Sequence, residues 1–248
     1  MPTIRNWRDT TPVVAHEGSV CWVILRKQGW KDFPAEYAPV RSTDGIGLQM
    51  LQAGLQGDYH AHEEREQLYY FTRGRGKMQL DGVLHPVKDG TTVHIPPHSK
   101  HQLINDGDDW LEHIILSAPS TDKRGKATVR NWRDCPPYVG HETAIIWSIY
   151  RGLGAPGLSP DEAPMAGLTG FTLHLMQASK SGDYHLHETR EQLYYFTRGQ
   201  GKMKIDEQIY PVTQGDVVHI PPQSKHQLIN DSEDWIEHLI ITGEVPSL

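Results

Sequence analysis

The chain has 248 residues, of which 37% are hydrophobic and 22% are charged, and its formal net charge is -7 at pH 7. Lysines and arginines are scattered rather than clustered, which excludes the basic surface that nucleic acids and anionic membranes attract. The first residues lack the apolar segment of a signal peptide and no run is long enough to span a bilayer, so we expect a cytoplasmic protein without nucleic-acid or membrane partners.

The chain repeats itself with an offset of 125 residues. Residues 57–78 read GDYHAHEEREQLYYFTRGRGKM and residues 182–203 read GDYHLHETREQLYYFTRGQGKM, so nineteen of twenty-two positions agree. The segment NWRD at 6–9 also recurs at 131–134, and we expect each copy to pack an N-terminal arm against a barrel. So long a period indicates duplication of a whole domain. We predict an N-terminal domain at 1–120, a linker at 121–127 and a C-terminal domain at 128–248.

Both copies have the sequence pattern of short β-strands. Runs such as QLYYFTRG, TTVHIP, HQLIND and WLEHIILS are rich in β-branched and aromatic residues, and Gly, Asp, Asn or Pro breaks the sequence every several residues. No stretch keeps a helical period for long. The pattern predicts an all-β chain with one sandwich or barrel per repeat, a form that can enclose a ligand cavity.

The repeated segment contains side chains able to bind a metal ion. His60 and His62 are two residues apart, so on a strand both point to one face. Gln67 shares its parity with Tyr69 on the next strand, and His101 arrives from a later strand after a rigid Pro-Pro turn. The predicted ligands are His60, His62, Gln67 and His101 in the first copy and His185, His187, Gln192 and His226 in the second.

Three imidazoles and one amide oxygen suit a divalent transition metal, one per domain: Fe, Ni, Co, Mn or Zn. A purely structural role is the alternative, but three histidines converging inside a barrel would be costly polar burial. A glutamine ligand leaves the charge of a divalent centre at +2, which favours Lewis-acid chemistry over redox cycling.

Further residues are candidates for proton transfer. Tyr69 and Tyr194 share the inward parity and are predicted to act as general acids or to orient substrate, with core packing as the alternative. His113 and His238, on a terminal strand beside a glutamate, are candidates for a proton relay. The long segments 26–45 and 151–170 differ between the copies, so they either cap the two cavities or form surface or interdomain loops.

These motifs resemble those of the cupins, small jelly-roll barrels that hold a metal inside. In the first copy the matching residues are His60, His62, Gln67 and Gly74, then Gly90, Pro96, His101 and Asn105; Gln67 stands where Glu is usual and His98 where Gly is common. The second copy matches with Gly215, Pro221, His226 and Asn230, and with Gln223 at the position of His98. The resemblance implies two tandem cupin jelly-roll barrels, each with its own metal.

The His/His/Gln/His set is similar to that of the uronate-ketonising cupins and of the two-domain isomerase of bacilysin biosynthesis. Both shift a proton beside a carbonyl group. The resemblance implies a metal-dependent isomerase or tautomerase that stabilises an enolate of a small carbonyl or carboxylate substrate, in a protein that forms a homodimer as many cupins do. An iron-dependent dioxygenase and a non-catalytic cupin that binds small ligands are the alternatives.

Overall fold

The computed structural model describes residues 2–122 and 124–245, so Lys123 of the predicted linker lies outside the described residues. Within those ranges helical structure is limited to three short 3₁₀ turns, Trp7–Asp9, Ala35–Tyr37 and Trp132–Asp134. In the N-terminal half (2–122) the strands are β1 Thr3–Asn6, β2 Val13–Ala15, β3 Ser19–Arg26, β4 Gly45–Leu51, β5 Arg65–Arg73, β6 Arg75–Leu80, β7 Val83–Lys88, β8 Thr91–Ile95, β9 His101–Ile104 and β10 Leu111–Pro119.

The C-terminal half (124–245) repeats this order. Its strands are β11 Thr128–Asn131, β12 Pro137–Gly140, β13 Ala144–Arg151, β14 Gly170–Met176, β15 Lys180–Ser181, β16 Arg190–Arg198, β17 Gln200–Ile205, β18 Gln208–Thr213, β19 Asp216–Ile220, β20 His226–Asn230 and β21 Ile236–Glu244. Two seven-stranded sheets have the orders β11-β8-β5-β10-β4-β3-β2 and β1-β19-β16-β21-β14-β13-β12, and the smaller sheets are β7-β6-β9 and β15-β20-β17-β18. The predicted all-β fold, with one jelly-roll sandwich per repeat, is confirmed.

Each large sheet is buried on both faces, as β5 illustrates. Tyr69 and Phe71 lie in the core of the N-terminal sandwich, whereas Leu68 and Tyr70 lie in a third core that contains residues of both halves. The same alternation in β16 puts Tyr194 and Phe196 in the C-terminal sandwich and Leu193 and Tyr195 in the shared core. The two large sheets therefore pack against each other, and residues 66–71 of β5 and 191–196 of β16 are buried without a break because neither face of these central strands meets water.

The N-terminal arms are exchanged between the halves. Strand β1 pairs with β19 of the C-terminal half, with Thr3 opposite His219. Strand β11 pairs with β8 of the N-terminal half, with Thr128 opposite His94. The sequence predicted that an arm packs against a barrel, and the structure adds that each arm completes the large sheet of the other half.

One buried carboxylate in each half binds a loop of the other half. The Glu66 carboxylate accepts hydrogen bonds from the backbone N–H groups of Ala166, Gly167 and Leu168, at 2.8, 3.0 and 3.1 Å. It also lies 3.2 Å from His94 Nε2. In the reciprocal contact the Glu191 carboxylate accepts from the backbone of Arg41 and Ser42, from the Ser42 hydroxyl and from His219 Nε2. Because both carboxylates are 1% exposed, these bonds form away from water.

The long divergent segments lie at this interface. In segment 26–45 the Tyr37 ring lies 3.8 Å from the guanidinium carbon of Arg5 in the arm. In segment 151–170 Asp161 pairs with Lys126 at 3.0 Å and Glu162 with Arg130 at 3.7 Å. Each segment thus contacts the other half, through Ser42 and Gly167, as an interdomain loop does. Residues at its ends also line a cavity: Arg26 and Asp44 in the first copy, Arg151 and Thr169 in the second.

Two smaller features complete the fold. Cys21 and Cys135 are buried and unpaired thiols. Over the described ranges, no helix has the length and hydrophobicity needed to cross a membrane.

We expect Glu191→Gln to destabilise the protein by about 3 kcal/mol, because it leaves a buried His219 imidazole and backbone donors without their charged acceptor. Urea denaturation of the variant and the wild type measures the difference. Glu233→Gln, at an exposed position of the same half, is the control and should match the wild type. An unchanged midpoint for Glu191→Gln would contradict the role given to this carboxylate.

The same contact predicts a pH dependence of stability. Burial by itself raises the pKa of Glu191, but the hydrogen bonds from His219 and Ser42 outweigh it and the net pKa is lowered. Since the unfolded-state pKa is about 4.3, the contribution is complete above that pH and is lost as the pH falls through the lower folded-state pKa. The stability gap between wild type and Glu191→Gln should be constant from pH 7 to pH 5 and should narrow below about pH 4.

Candidate metal centres

Three histidines of the N-terminal half converge inside the sandwich. His60 and His101 face each other across an antiparallel bridge, and the His98 N–H donates to the His62 carbonyl at 2.7 Å, which holds the Pro-Pro turn against this segment. His60 Nε2 and His62 Nε2 are 3.2 Å apart. One ligand nitrogen from each of His60, His62 and His101 lies within 4.8 Å of the others, a grouping able to hold an ion.

Gln67 approaches the same point from β5. Its Nε2 donates to Ser117 Oγ at 3.4 Å, while its Oε1 is buried and has no hydrogen-bond partner. An unsatisfied buried acceptor costs free energy unless another group binds it. The amide oxygen is therefore available to complete the set that the sequence predicts.

The C-terminal half repeats the arrangement. His185, His187 and His226 bring their ligand nitrogens within 4.8 Å of one another. Among the predicted ligands of the two halves, the buried atoms without a hydrogen-bond partner are Nε2 of His101, His185, His187 and His226 and Oε1 of Gln67 and Gln192. These orphaned atoms are donors suited to a transition ion, so the residues present fit a metal in both halves.

Burial favours the neutral imidazole at His62, His101, His187 and His226. It lowers the pKa of His62, His101 and His226 to about 4, with a further contribution from neighbouring histidines. It also lowers the pKa of His187. A neutral imidazole has a free lone pair, which metal binding requires.

The sequence analysis missed a carboxylate that orients one ligand in each half. Asp58 Oδ2 lies 3.0 Å from His60 Nδ1, and Asp183 Oδ2 lies 2.9 Å from His185 Nδ1. By accepting the Nδ1 proton each carboxylate fixes the tautomer in which Nε2 points to the metal position. The other carboxylate oxygens contact His16 and His141. The signal was the D-x-H spacing, present in both copies of the repeat.

The four candidate proton-transfer residues form two stacked pairs beside the histidine clusters. The rings of Tyr69 and His113 stack at 4.9 Å, and the Tyr69 ring lies 6.3 Å from that of His101. In the other half Tyr194 and His238 stack at 5.4 Å, with His226 6.0 Å from Tyr194. A cavity of about 20 Å³ touches Tyr194, His238 and the predicted ligands His185 and His226. The structure thus places each tyrosine next to a predicted ligand, and each of the two histidines stacks on its tyrosine.

Each half also has a larger cavity that is lined in part by its predicted ligands. The N-terminal one has a volume of about 220 Å³ and is lined by His62, Gln67, Gln49 and Cys21, among others. The C-terminal one, of about 200 Å³, is lined by His187, Gln192 and, at the position of Gln49, by His174. His174 is buried, its Nε2 lies 2.9 Å from Thr172 Oγ1, and burial lowers its pKa well below the usual value. The C-terminal cavity therefore contains a neutral imidazole that the N-terminal one lacks.

Comparisons with known proteins agree with this architecture. A Methanocaldococcus jannaschii protein of uncharacterised role is 30% identical over 108 residues, 44% of this chain and 79% of that protein. Glucose-6-phosphate isomerase of Thermococcus onnurineus is 36% identical over 59 residues, and the match spans 22% of this chain and 31% of the isomerase.

Solved structures resemble the whole chain. A Pseudomonas aeruginosa protein named as glyoxylate-induced superposes with a TM-score of 0.78 at 14% identity, covering 100% of this chain and 89% of that one. Oxalate decarboxylase of Lactobacillus farciminis, in a complex with formate, has a TM-score of 0.75 at 12% identity and covers 99% and 86%. At these identities the likeness shows the fold alone. Residues 47–116 and 172–241 each match the Cupin domain family, so the chain belongs to the cupins, with one cupin domain in each half.

Proposed function

We propose that this bicupin is a metal-dependent isomerase or tautomerase that acts on a small carbonyl or carboxylate compound. The observation that carries the proposal is that three histidines are grouped in each half and that nitrogen and amide oxygen atoms of each predicted ligand set are buried without a partner. One histidine and the glutamine of each set also line a cavity. A relative named as an isomerase, glucose-6-phosphate isomerase of Thermococcus onnurineus, supports this proposal over the 31% of its length that the match spans.

Each half would hold one divalent transition ion. The ligands would be His60, His62, Gln67 and His101 in the N-terminal half and His185, His187, Gln192 and His226 in the C-terminal half. When bound, the ion would supply Lewis-acid chemistry that polarises a substrate carbonyl and eases removal of a neighbouring proton. Because every ligand in the set is neutral, nothing in it reduces the ion's charge of +2.

The tyrosines are the proposed proton donors. Burial raises the pKa of Tyr69 and of Tyr194, so both hydroxyls stay protonated at neutral pH. A protonated hydroxyl beside the predicted ligands can donate to a substrate oxygen as negative charge develops on it. Burial lowers the pKa of His113 and His238 to about 3, so they stay neutral and stack on the tyrosines without adding charge.

The protein purified without chelator should contain two ions per chain. His62→Ala and His187→Ala should each reduce this to about one, because three remaining donors hold an ion far less tightly, and the double variant should contain none. Elemental analysis measures the content. His85→Ala, a histidine on β7 away from the clusters, is the control and should keep two. Two ions in either single variant would contradict the assigned ligands.

Removing an orienting carboxylate should weaken metal binding without abolishing it. Asp183→Asn and Asp58→Asn should each lower the affinity of their own site about tenfold to a hundredfold, because the imidazole loses its fixed tautomer. Competition with a chromophoric chelator measures both affinities. Asp108→Asn, whose side chain is 93% exposed, should leave them unchanged. Equal affinities in all three variants would remove Asp58 and Asp183 from the site.

The reaction class can be tested by hydrogen exchange. In D₂O the metal-loaded protein should incorporate deuterium next to the carbonyl of small 2-oxo acids or unsaturated uronates, followed by proton NMR. Tyr194→Phe should slow the exchange about a hundredfold or more for the substrate used by that half. Tyr195→Phe, the adjacent tyrosine that faces the shared core, is the control. Oxygen uptake by the iron-loaded protein, without exchange, would instead support a dioxygenase.

A further inference from the structure

The two cavities share a pair of arginines close to the predicted ligands. Arg26 and Arg65 line the N-terminal cavity together with His62. The equivalent Arg151 and Arg190 line the C-terminal cavity together with His187. Fixed cations next to a polar cavity are the groups that bind a carboxylate.

The cavities differ in the acidic residue that accompanies these arginines. Asp44 lines the N-terminal cavity, 3.7 Å from Lys27 and 3.9 Å from Arg65. The matching position in the C-terminal half is Thr169, and among the described residues that line the C-terminal cavity there is no carboxylate. An anion entering the N-terminal cavity would meet a like charge, and one entering the C-terminal cavity would not.

The arginines have different contacts in the two halves. Arg151 donates to the neutral oxygens of Ser148 at 2.8 Å and Tyr138 at 3.4 Å. Arg190 donates through Nε to Glu244 at 2.9 Å, and the Glu244 side chain is 46% exposed and does not line the cavity. In the N-terminal half Asp44 acts directly on Arg26, where its charge favours the guanidinium and so counters the burial that lowers the pKa.

The rest of the lining follows the same division. Thr169, Thr172 and Thr242 contribute to the C-terminal cavity, at positions where the N-terminal cavity has Asp44, Gly47 and Ser117. Threonine hydroxyls can donate to a carboxylate oxygen, whereas an aspartate cannot. The C-terminal lining thus combines two cations with several neutral donors.

We propose that the C-terminal cavity binds a small ligand through its carboxylate, held by Arg151 and Arg190, and that Asp44 reserves the N-terminal cavity for an uncharged ligand. The proposal rests on the proposed function in one respect: it assumes that the predicted metal ligands His62 and His187, which line the two cavities, belong to the reaction sites. The two sites have identical sets of predicted metal-binding side chains, and the proposal assigns a different class of small molecule to each site.

The test is calorimetric titration of the metal-loaded full chain with pyruvate and with its uncharged analogue methyl pyruvate. Pyruvate should bind at one site per chain, and the ester should compete for that site with at least tenfold lower affinity. Arg151→Gln should weaken pyruvate binding about tenfold to a hundredfold, while Arg26→Gln, the matched variant of the other cavity, should leave it unchanged.

Exchanging the acidic residue gives the sharper arm. Thr169→Asp should abolish pyruvate binding, and Thr169→Asn, of the same size without the charge, should retain most of it. Asp44→Thr should raise the stoichiometry from one to two. Unfolding curves identify any variant that fails to fold. The second pyruvate site expected in Asp44→Thr is a gain of binding, which a misfolded variant could not show.

No pyruvate binding by the wild type, unchanged pyruvate binding in Arg151→Gln, or unchanged pyruvate binding in Thr169→Asp would each overturn the proposal. Binding without deuterium exchange would leave the carboxylate site standing and overturn the isomerase instead. The two failures are therefore distinguishable.

Discussion

One pair of adjacent residues connects the fold to the site in each half. Glu66 and Gln67 are neighbours on β5, so their side chains point to opposite faces of the large sheet. Glu66 binds the loop of the other half, and Gln67 directs an orphaned oxygen into the sandwich. Glu191 and Gln192 repeat the arrangement on β16. The interface therefore fixes the strand that presents the amide, and the position of the predicted ligand depends on the contact between halves.

Alternation along strands made most of this site predictable from the sequence. Gln67 and Tyr69 share a face of β5 by parity, and the duplication supplied an independent copy. His60 and His62 lie outside the named strands, where His60 forms an isolated bridge with His101. Asp58 was missed because an aspartate after a glycine reads as a turn residue, although its carboxylate contacts two histidines. Its spacing from His60 becomes meaningful once the imidazole is known to face inward.

The exchange of arms could not be predicted, and the duplication is the reason. The two arm strands read TIRN and TVRN, and their partner strands read TTVHI and DVVHI. With such similar sequences, either arm pairs equally well with either partner by local criteria. The choice is made by burial of a core common to both large sheets. The contacts of segments 26–45 and 151–170 with the other half could not be predicted for a related reason, since sequence alone does not reveal that a loop faces the other half.

The duplication has kept some positions and changed others according to where they lie. The predicted ligands, the orienting aspartates and the interface carboxylates are the same in both halves. The changed pairs, Gln49 against His174 and Asp44 against Thr169, line the outer cavities. Each cavity is lined by residues of one half, so a substitution there alters one site without disturbing the other or the shared core. Two barrels that pack through their large sheets can therefore keep one arrangement of predicted metal ligands and present two different cavity linings to substrate.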